Sequence, residues 1–348
     1  MKKLFLKDKP ISGLDIGQTG AKIMAIDTGK WQVLGYGSRD MQPVKLHQSI
    51  DQGTDYLTGE IQELLKQMNG RLPSNHVVLS APTGRTYSRT LNLPASAEDS
   101  LAEAVQLEAD QYIPIPSSEL NIDYQIVERT GENITVLMSA VPKKIVTAMV
   151  SACNKAGLQV VMIEPGLNAI SRLIAQTEGG HLPTVIVDIG AANTDIAILD
   201  KTIRVTGGAP VGGNSFTLEI SKKLGVSLEQ AHQLKVISGL RPGPKQEELT
   251  STIDPILDRV IVEINKIIRF YSERLGSQRK IEQIVIVGGG SNMPGLGDYM
   301  TNKMMMPARV ASPWSMLNFG DLEQPSRQFK PRFITVAGLA TINPLEIW

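Results

Sequence analysis

The sequence predicts an α/β protein of two related halves, with a smaller α+β module set into the first. Three observations carry this expectation. One design occurs twice: an apolar strand ends in an aspartate, a glycine turn follows, and a hydroxyl-bearing residue leads into a returning strand. It is seen in Asp15-Ile16-Gly17-Gln18-Thr19-Gly20-Ala21-Lys22 and again in Asp188-Ile189-Gly190-Ala191-Ala192-Asn193-Thr194-Asp195. A buried-strand pattern, Ile284-Val285-Ile286-Val287, then runs into Gly288-Gly289-Gly290-Ser291-Asn292-Met293-Pro294-Gly295. Finally, the texture between about Arg85 and Asn154 differs from what flanks it.

From Ile11 to Ile26 apolar residues cluster around the first glycine turn, as in a hairpin. After Pro43 the pattern becomes helical, with Leu57, Ile61, Leu64 and Leu65 at three- and four-residue spacing, and Val77 to Ala81 reads as a buried strand. A β-β-α-β unit is expected here. The module that follows reads as strand Tyr87 to Leu91, helix Ala97 to Gln111, strands Asp123 to Glu128 and Ile134 to Ala140, and a helix from Lys143 to Ala156 stopped by Gly157. Val160 to Ile163 returns to a buried strand, followed by Glu164-Pro165 and a helix from about Leu167 to Ala175.

The second half opens with strand Thr184 to Val187 and a returning strand Thr194 to Leu199. Helices are expected over Ser215 to Leu224 and Leu228 to Ile237, then a polar loop Ser238 to Glu248 and a long amphipathic helix from about Thr252 to Leu275. A helix from Leu296 to Met304 follows the triple glycine. The tail Pro313 to Pro331 reads as loop, and Phe333 to Leu339 as a last apolar segment before Trp348.

At 348 residues the chain is long enough for two cores. Lys+Arg and Asp+Glu each number 35, so the net charge is zero and the field expected of a nucleic-acid binder is absent. Cys153 is the only cysteine, which excludes an intrachain disulfide and a thiolate metal cage and reads as a small core residue. The start, Met1 to Lys9, has the charge of a signal n-region, but its apolar run Leu4-Phe5-Leu6 is too short for a signal peptide. No stretch approaches the ~18 apolar residues of a membrane span, so a cytoplasmic protein is expected.

A glycine turn between strands exposes successive backbone N–H groups and lets an anion approach without a Cβ in the way. Thr19 and Thr194 add hydroxyls, and Lys22 can bring a positive charge to the outer phosphates of a polyphosphate. A carboxylate would repel such a ligand unless Mg²⁺ intervened, so Asp15 and Asp188 point to the metal through its waters. Each turn alone is weak evidence, since Asp-x-Gly turns occur widely. The ordered set predicts a nucleotide, gripped from two sides, with the triple glycine beneath base and ribose. Glu164 either orients water at the terminal phosphate or is a helix N-terminal glutamate favoured by the macrodipole. Lys235 either reaches ribose or phosphate or is a solvated surface charge. His181 and His232 have no ligand-spaced partners, no Ser-His-Asp order stands out, and Met304-Met305-Met306 reads as packing.

With these residues assembled, the chain resembles the actin, Hsp70 and sugar-kinase ATPase superfamily over nearly its whole length. The resemblance implies an actin-like (ribonuclease H-like) two-domain ATPase fold. It implies that ATP or ADP binds with Mg²⁺ through Gly17, Gln18, Thr19, Gly20 and Lys22 (phosphate 1), Gly190, Ala191, Asn193 and Thr194 (phosphate 2), Lys235, and Gly288, Gly289, Gly290, Ser291 and Met293 (adenosine). Asp15 and Asp188 would hold the metal through water, and Glu164 falls where bacterial actins place the water-orienting acid. Those proteins commonly carry Ala-Glu-x-x-Lys, the Glu on ribose, whereas Ala231-His232-Gln233-Leu234-Lys235 stands here and lacks that carboxylate.

The module resembles subdomain 1C of FtsA in its position. Its text, Glu103-Ala104-Val105-Gln106-Leu107-Glu108-Ala109-Asp110-Gln111-Tyr112-Ile113-Pro114 with Asn121-Ile122-Asp123-Tyr124, and Lys155-Ala156-Gly157-Leu158 before Glu164-Pro165, is similar to the PilM family of type IV pilus assembly proteins. No basic amphipathic helix closes the chain as it does in FtsA. The resemblance implies subdomain 1A from 1–84, 155–182 and 332–348, 1C from 85–154, 2A from 183–214 and 280–331, and 2B from 215–279. It also implies a cytoplasmic ATP-binding scaffold with weak or no hydrolysis, which meets the membrane only through partners. Those partners are the N-terminal tail of PilN, held between 1A and 1C, the inner-membrane pilus platform with its motor proteins, and further copies of itself. The competing expectation is a filament-forming ATPase of the bacterial-actin or FtsA kind, or a small-molecule kinase.

Overall fold

The structure, a computed structural model, describes residues 9–178, 182–274 and 279–347. The sequence readings at Met1 to Asp8, His181, Leu275 and Trp348 lie outside the described residues. The chain divides into two compact units, one of Met1–Leu173, Trp314–Gln324 and Thr335–Trp348, the other of Ile174–Pro313 and Pro325–Ile334.

The first unit begins with β1 (Ser12–Gly17), β2 (Gly20–Asp27) and β3 (Gln32–Asp40), followed by helices α1 (Pro43–Gln52) and α2 (Tyr56–Gln67) and strands β4 (Asn69–Gly70) and β5 (His76–Ala81). Pro43 opens α1 at a position that has no N–H to satisfy, and Gly53 closes it in the left-handed region at φ 71°. After the module, α4 (Lys143–Lys155), β9 (Gln159–Pro165) and α5 (Gly166–Thr177) follow. The sheet order is β4-β3-β2-β1-β5-β9, antiparallel through the first four strands and parallel from β1 to β9. Leu57, Ile61 and Leu64 of α2 and Met149 and Cys153 of α4 bury one face against Leu14, Ile23 and Leu79. Each such side chain contributes roughly 1.5–3 kcal/mol relative to exposure. On the other face lie Ala169 of α5 and Leu339, against Ile11 and Val78.

The inserted module is a sheet of β6 (Tyr87–Pro94), β7 (Leu120–Arg129) and β8 (Asn133–Pro142) in the order β6-β8-β7. It is covered by α3 (Leu101–Tyr112), whose Leu101, Val105 and Ala109 meet Leu91, Leu93, Val136 and Met138 in a core of its own.

The second unit repeats the first sheet's plan. β10 (Thr184–Ile189), β11 (Thr194–Asp200) and β12 (Thr202–Ala209) form an antiparallel meander; then come α6 (Gly213–Leu224), α7 (Leu228–Ile237), α8 (Gln246–Arg274), β13 (Gln283–Val287), α9 (Leu296–Met304) and β14 (Ala308–Val310). The order β12-β11-β10-β13-β14 matches β3-β2-β1-β5-β9, with parallel pairing beginning at the same place. Ser227 and Gln230 start α7 with a capping box: Gln230 N donates to Ser227 Oγ at 3.2 Å, and Ser227 N donates to Gln230 Oε1 at 3.1 Å. The chain returns through α10 (Ile334–Leu339) to the first unit.

Three expectations need correction. The first hairpin is a three-stranded meander, as is the one in the second unit, so the opening is β-β-β rather than β-β. The helical run after Pro43 is two helices, broken at Gly53. The long helix begins at Gln246 and carries Pro255 inside it, so the loop expected up to Glu248 is shorter.

Candidate functional site

In the first unit, Asp15 lies two residues before the end of β1, which runs on to Gly17 instead of stopping at the aspartate, with Lys22 opposite it on β2. The Lys22 ammonium lies 3.5 Å from Asp15 Oδ2, and the Ser80 hydroxyl donates to Asp15 Oδ1 at 2.7 Å. Ser80 in turn faces Glu164 in the β5–β9 register, so Asp15, Ser80 and Glu164 form a row at the carboxyl ends of three neighbouring parallel strands. That end of an open α/β sheet is where ligands bind. Gly20 has φ 156°, and a Cβ there would sit 2.2 Å from the Arg39 carbonyl oxygen, so β3 closes over the turn only because position 20 is glycine. Gly17 has ordinary space around it, Gln18 is exposed, and the Thr19 carbonyl accepts from Met41 N at 2.9 Å.

Glu164 is buried, and both its oxygens are taken by Arg172 of α5. Nη2 donates to Oε1, and Nη1 donates to Oε2 at 3.2 Å. The partner lies two turns along the next helix, and nothing in the sequence singled it out.

In the second unit, Asp188 stands opposite Val287 in the β10–β13 register, and a Cβ on Gly288 (φ 83°) would fall 2.1 Å from Asp188 Oδ1. The turn is closed by Gly190 N donating to Asn193 O at 2.9 Å. Its carbonyls are held by the start of α6, Gly213 N on Gly190 O at 2.9 Å and Asn214 N on Ala191 O at 2.8 Å. Thr194 is fully buried and its hydroxyl donates to Val211 O at 2.8 Å, which braces the turn from behind. Ser291 likewise turns its hydroxyl back to Gly288 O at 2.7 Å, and Met293 packs in the unit's core.

Lys235 is buried, so the surface alternative is excluded. Its ammonium donates to Gly213 O and Thr217 Oγ1, both at 2.8 Å, which leaves one of its three protons undirected by the described residues. Burial pulls its pKa down to about 8. A Cβ on Gly213 would lie 3.5 Å from Lys235 Nζ, 3.6 Å from Gly190 O and 3.6 Å from Gly290 Cα. Three glycine segments and a buried cation therefore meet within van der Waals distance of one point. One basic neighbour, Arg332, was not read from the sequence as belonging here, while His232 stands where the resemblance puts a ribose contact. The stem of Arg332 lies 3.1 Å from where a Gly289 Cβ would be. The pKa of His232 is lowered by burial and then by the charges of Lys235 and Arg332.

Among the described residues no group of three or more His, Cys, Asp or Glu side chains is placed to hold a metal ion. Single carboxylates at Asp15 and Asp188 suit Mg²⁺, which keeps several waters and takes the rest of its ligands from phosphate. The glycine segments and the ammonium fit a phosphate chain.

Against this geometry, a family model described as type IV pilus assembly protein PilM matches residues 13–343. Cell division protein FtsA of Borreliella burgdorferi is 26% identical over 211 residues, 55% of this chain and 50% of that protein. FtsA of Neisseria meningitidis is 24% identical over 246 residues, 65% of this chain and 56% of that protein. The chain thus spans about half the length of these curated relatives. Among solved structures, a PilM-PilN type IV pilus biogenesis complex superposes with a TM-score of 0.80 at 24% identity, covering 96% of this chain and 98% of that one. MreB5 of Spiroplasma citri bound to AMPPNP gives 0.55 at 16% identity, covering 95% and 94%. The fold is that of the actin-like two-domain ATPases.

Proposed function

Because this chain belongs to the PilM family of type IV pilus assembly proteins, we propose that it is a nucleotide-binding scaffold of the inner-membrane pilus platform, holding the N-terminal tail of a PilN protein. The observation that carries this reading is the family match from residue 13 to residue 343. The likeness to the PilM of a PilM–PilN complex over 96% of the chain supports the partner. Among the described residues no helix is long and apolar enough to cross a membrane, which suits attachment to the inner face of the membrane through that partner.

The nucleotide is ATP or ADP with Mg²⁺. Gly17, Gln18, Thr19, Gly20 and Lys22 would serve one end of the phosphate chain, and Gly190, Ala191, Asn193 and Thr194 the other. Lys235 would add its charge to the phosphates or ribose, and Gly288, Gly289, Gly290, Ser291 and Met293 would shape the nucleoside side. Mg²⁺ would be held by Asp15 and Asp188 through water and would neutralise phosphate charge. The module of β6, β7, β8 and α3 is subdomain 1C, and the PilN tail lies between it and subdomain 1A.

Two measurements test this. Mg-ATP should raise the melting temperature, and Asp15→Ala or Gly289→Val should remove the shift; a Cβ at 289 meets the Arg332 side chain and no backbone, and a cooperative melt without nucleotide checks that the variant folds. A shift left intact in both variants would sink the site. A pull-down with a PilN N-terminal peptide should retain the folded protein, and failure to bind would favour the filament-forming alternative, in which the protein pellets with ATP.

A further inference from the structure

Glu164 occupies the place of a water-orienting acid but not the condition for one. A general base needs a lone pair within hydrogen-bond reach of the proton it takes; here the bidentate Arg172 fork occupies one lone pair on each oxygen and pairs the charge, and burial to 4% exposure keeps water from the rest. The guanidinium is itself tethered. Nη2 also donates to the Gly338 carbonyl at 3.0 Å, which accepts from Thr341 Oγ1 at 2.8 Å as well. Gly338 has little room to follow, because its Cβ position lies 2.2 Å from Ala169 O, where α10 and α5 cross.

We propose that Arg172 is a positioning residue that withholds the Glu164 carboxylate from water, so that the chain retains a nucleotide instead of turning it over; this rests on the nucleotide reading above. The clamp joins β9, α5 and α10, and α5 and α10 carry two of the four places where the chain passes between its two units. Released from the fork, Glu164 would take the proton of a water whose oxygen bonds to the terminal phosphorus as the bond to the departing nucleoside diphosphate breaks. The products are the diphosphate, phosphate and a proton passed on to solvent.

The test uses the full chain with Mg-ATP and measures phosphate release. Arg172→Lys keeps a cation beside Glu164 but not the planar fork. It should raise kcat at least about tenfold, the scale below which a positioned base would be hard to claim, with KM unchanged. Adding Glu164→Gln should erase the gain. Arg172→Gln serves as a second variant and should show a gain of the same kind. Without nucleotide, Glu164→Gln and Arg172→Lys should lower the melting temperature by less together than the sum of their separate effects. A variant that still binds nucleotide but turns over no faster overturns the proposal, as does a gain that survives Glu164→Gln or an additive melting cycle. If the natural chain shows no Mg-ATP shift, the nucleotide reading falls and this falls with it; a shift without a gain overturns the clamp alone.

Discussion

Lys235 ties the site's chemistry to pH in two opposite ways. In an unfolded chain a lysine titrates near pH 10.4, and burial brings Lys235 down to about 8. Below pH 8 both states are protonated and the full cost of the buried charge is present. Between 8 and about 10.4 the unfolded chain binds more protons, so stability of the ligand-free protein rises with pH across that window, by ~3 kcal/mol at most. Denaturant melts at pH 7 and pH 10 should show the rise in the natural chain and lose it in Lys235→Met. An anionic ligand needs the ammonium charged, so nucleotide affinity should fall as pH climbs past 8, by about tenfold per unit at the steepest. Titration calorimetry across that range checks the sign, and a flat profile would take Lys235 out of the site. Cys153 offers a simpler check: burial pushes its thiol up to about 12, so a thiol reagent at pH 8 should label only the unfolded chain.

At the level of elements, the crossing of α10 on α5 is a tight backbone contact in the first unit. A methyl at Gly338 would meet the backbone of Ala169 and Ile170, so Gly338→Ala should cost about 3 kcal/mol, the upper end of overpacking penalties, and denaturant melts measure it. Glycine also explains what was legible in the sequence and what was not. The turns after Asp15, Asp188 and Val287 were legible because glycine there coincides with the end of an apolar strand. β3 and β12 were hidden because glycine lies inside them. Gly35 and Gly37 admit Arg71 and Met68, and Gly207 and Gly208 admit Ile267 and the backbone at Thr194, so these strands lack an apolar alternation. Ser80 and Arg172 could not be read at all. A lone serine in a buried strand and an arginine in a helix acquire meaning only from the neighbours that the sheet and helix crossing supply. The basic surroundings of His232 depend on Arg332, which is far away in sequence and lies between the segment that reads as loop and the last apolar run.

For the molecule as a whole, the zero net charge conceals an uneven distribution. Residues 95–132, which hold α3 and β7, carry nine carboxylates against the single Arg129. The remainder of the chain is correspondingly basic. The carboxylates are mostly solvent-facing, since α3 turns Leu101, Val105 and Ala109 inward and leaves Glu103 and Asp110 outside, with Leu107 63% exposed beside them. Cytoplasmic segments next to membrane spans carry an excess of Lys and Arg, so under the proposed function the tail of a membrane-anchored partner would meet this module with opposite charge. Attraction between exposed charges is screened within ~10 Å at 0.1 M salt. Affinity for a PilN N-terminal peptide should therefore fall several-fold between 50 and 300 mM salt, mostly through the association rate. Glu103→Lys with Asp110→Lys should weaken binding at low salt and flatten the salt dependence, while leaving the Mg-ATP melting shift in place. Fluorescence anisotropy at three salt concentrations measures both effects. A salt-independent affinity in the natural chain would mean that the tail is held by apolar contacts, and that the acidic face serves some other purpose.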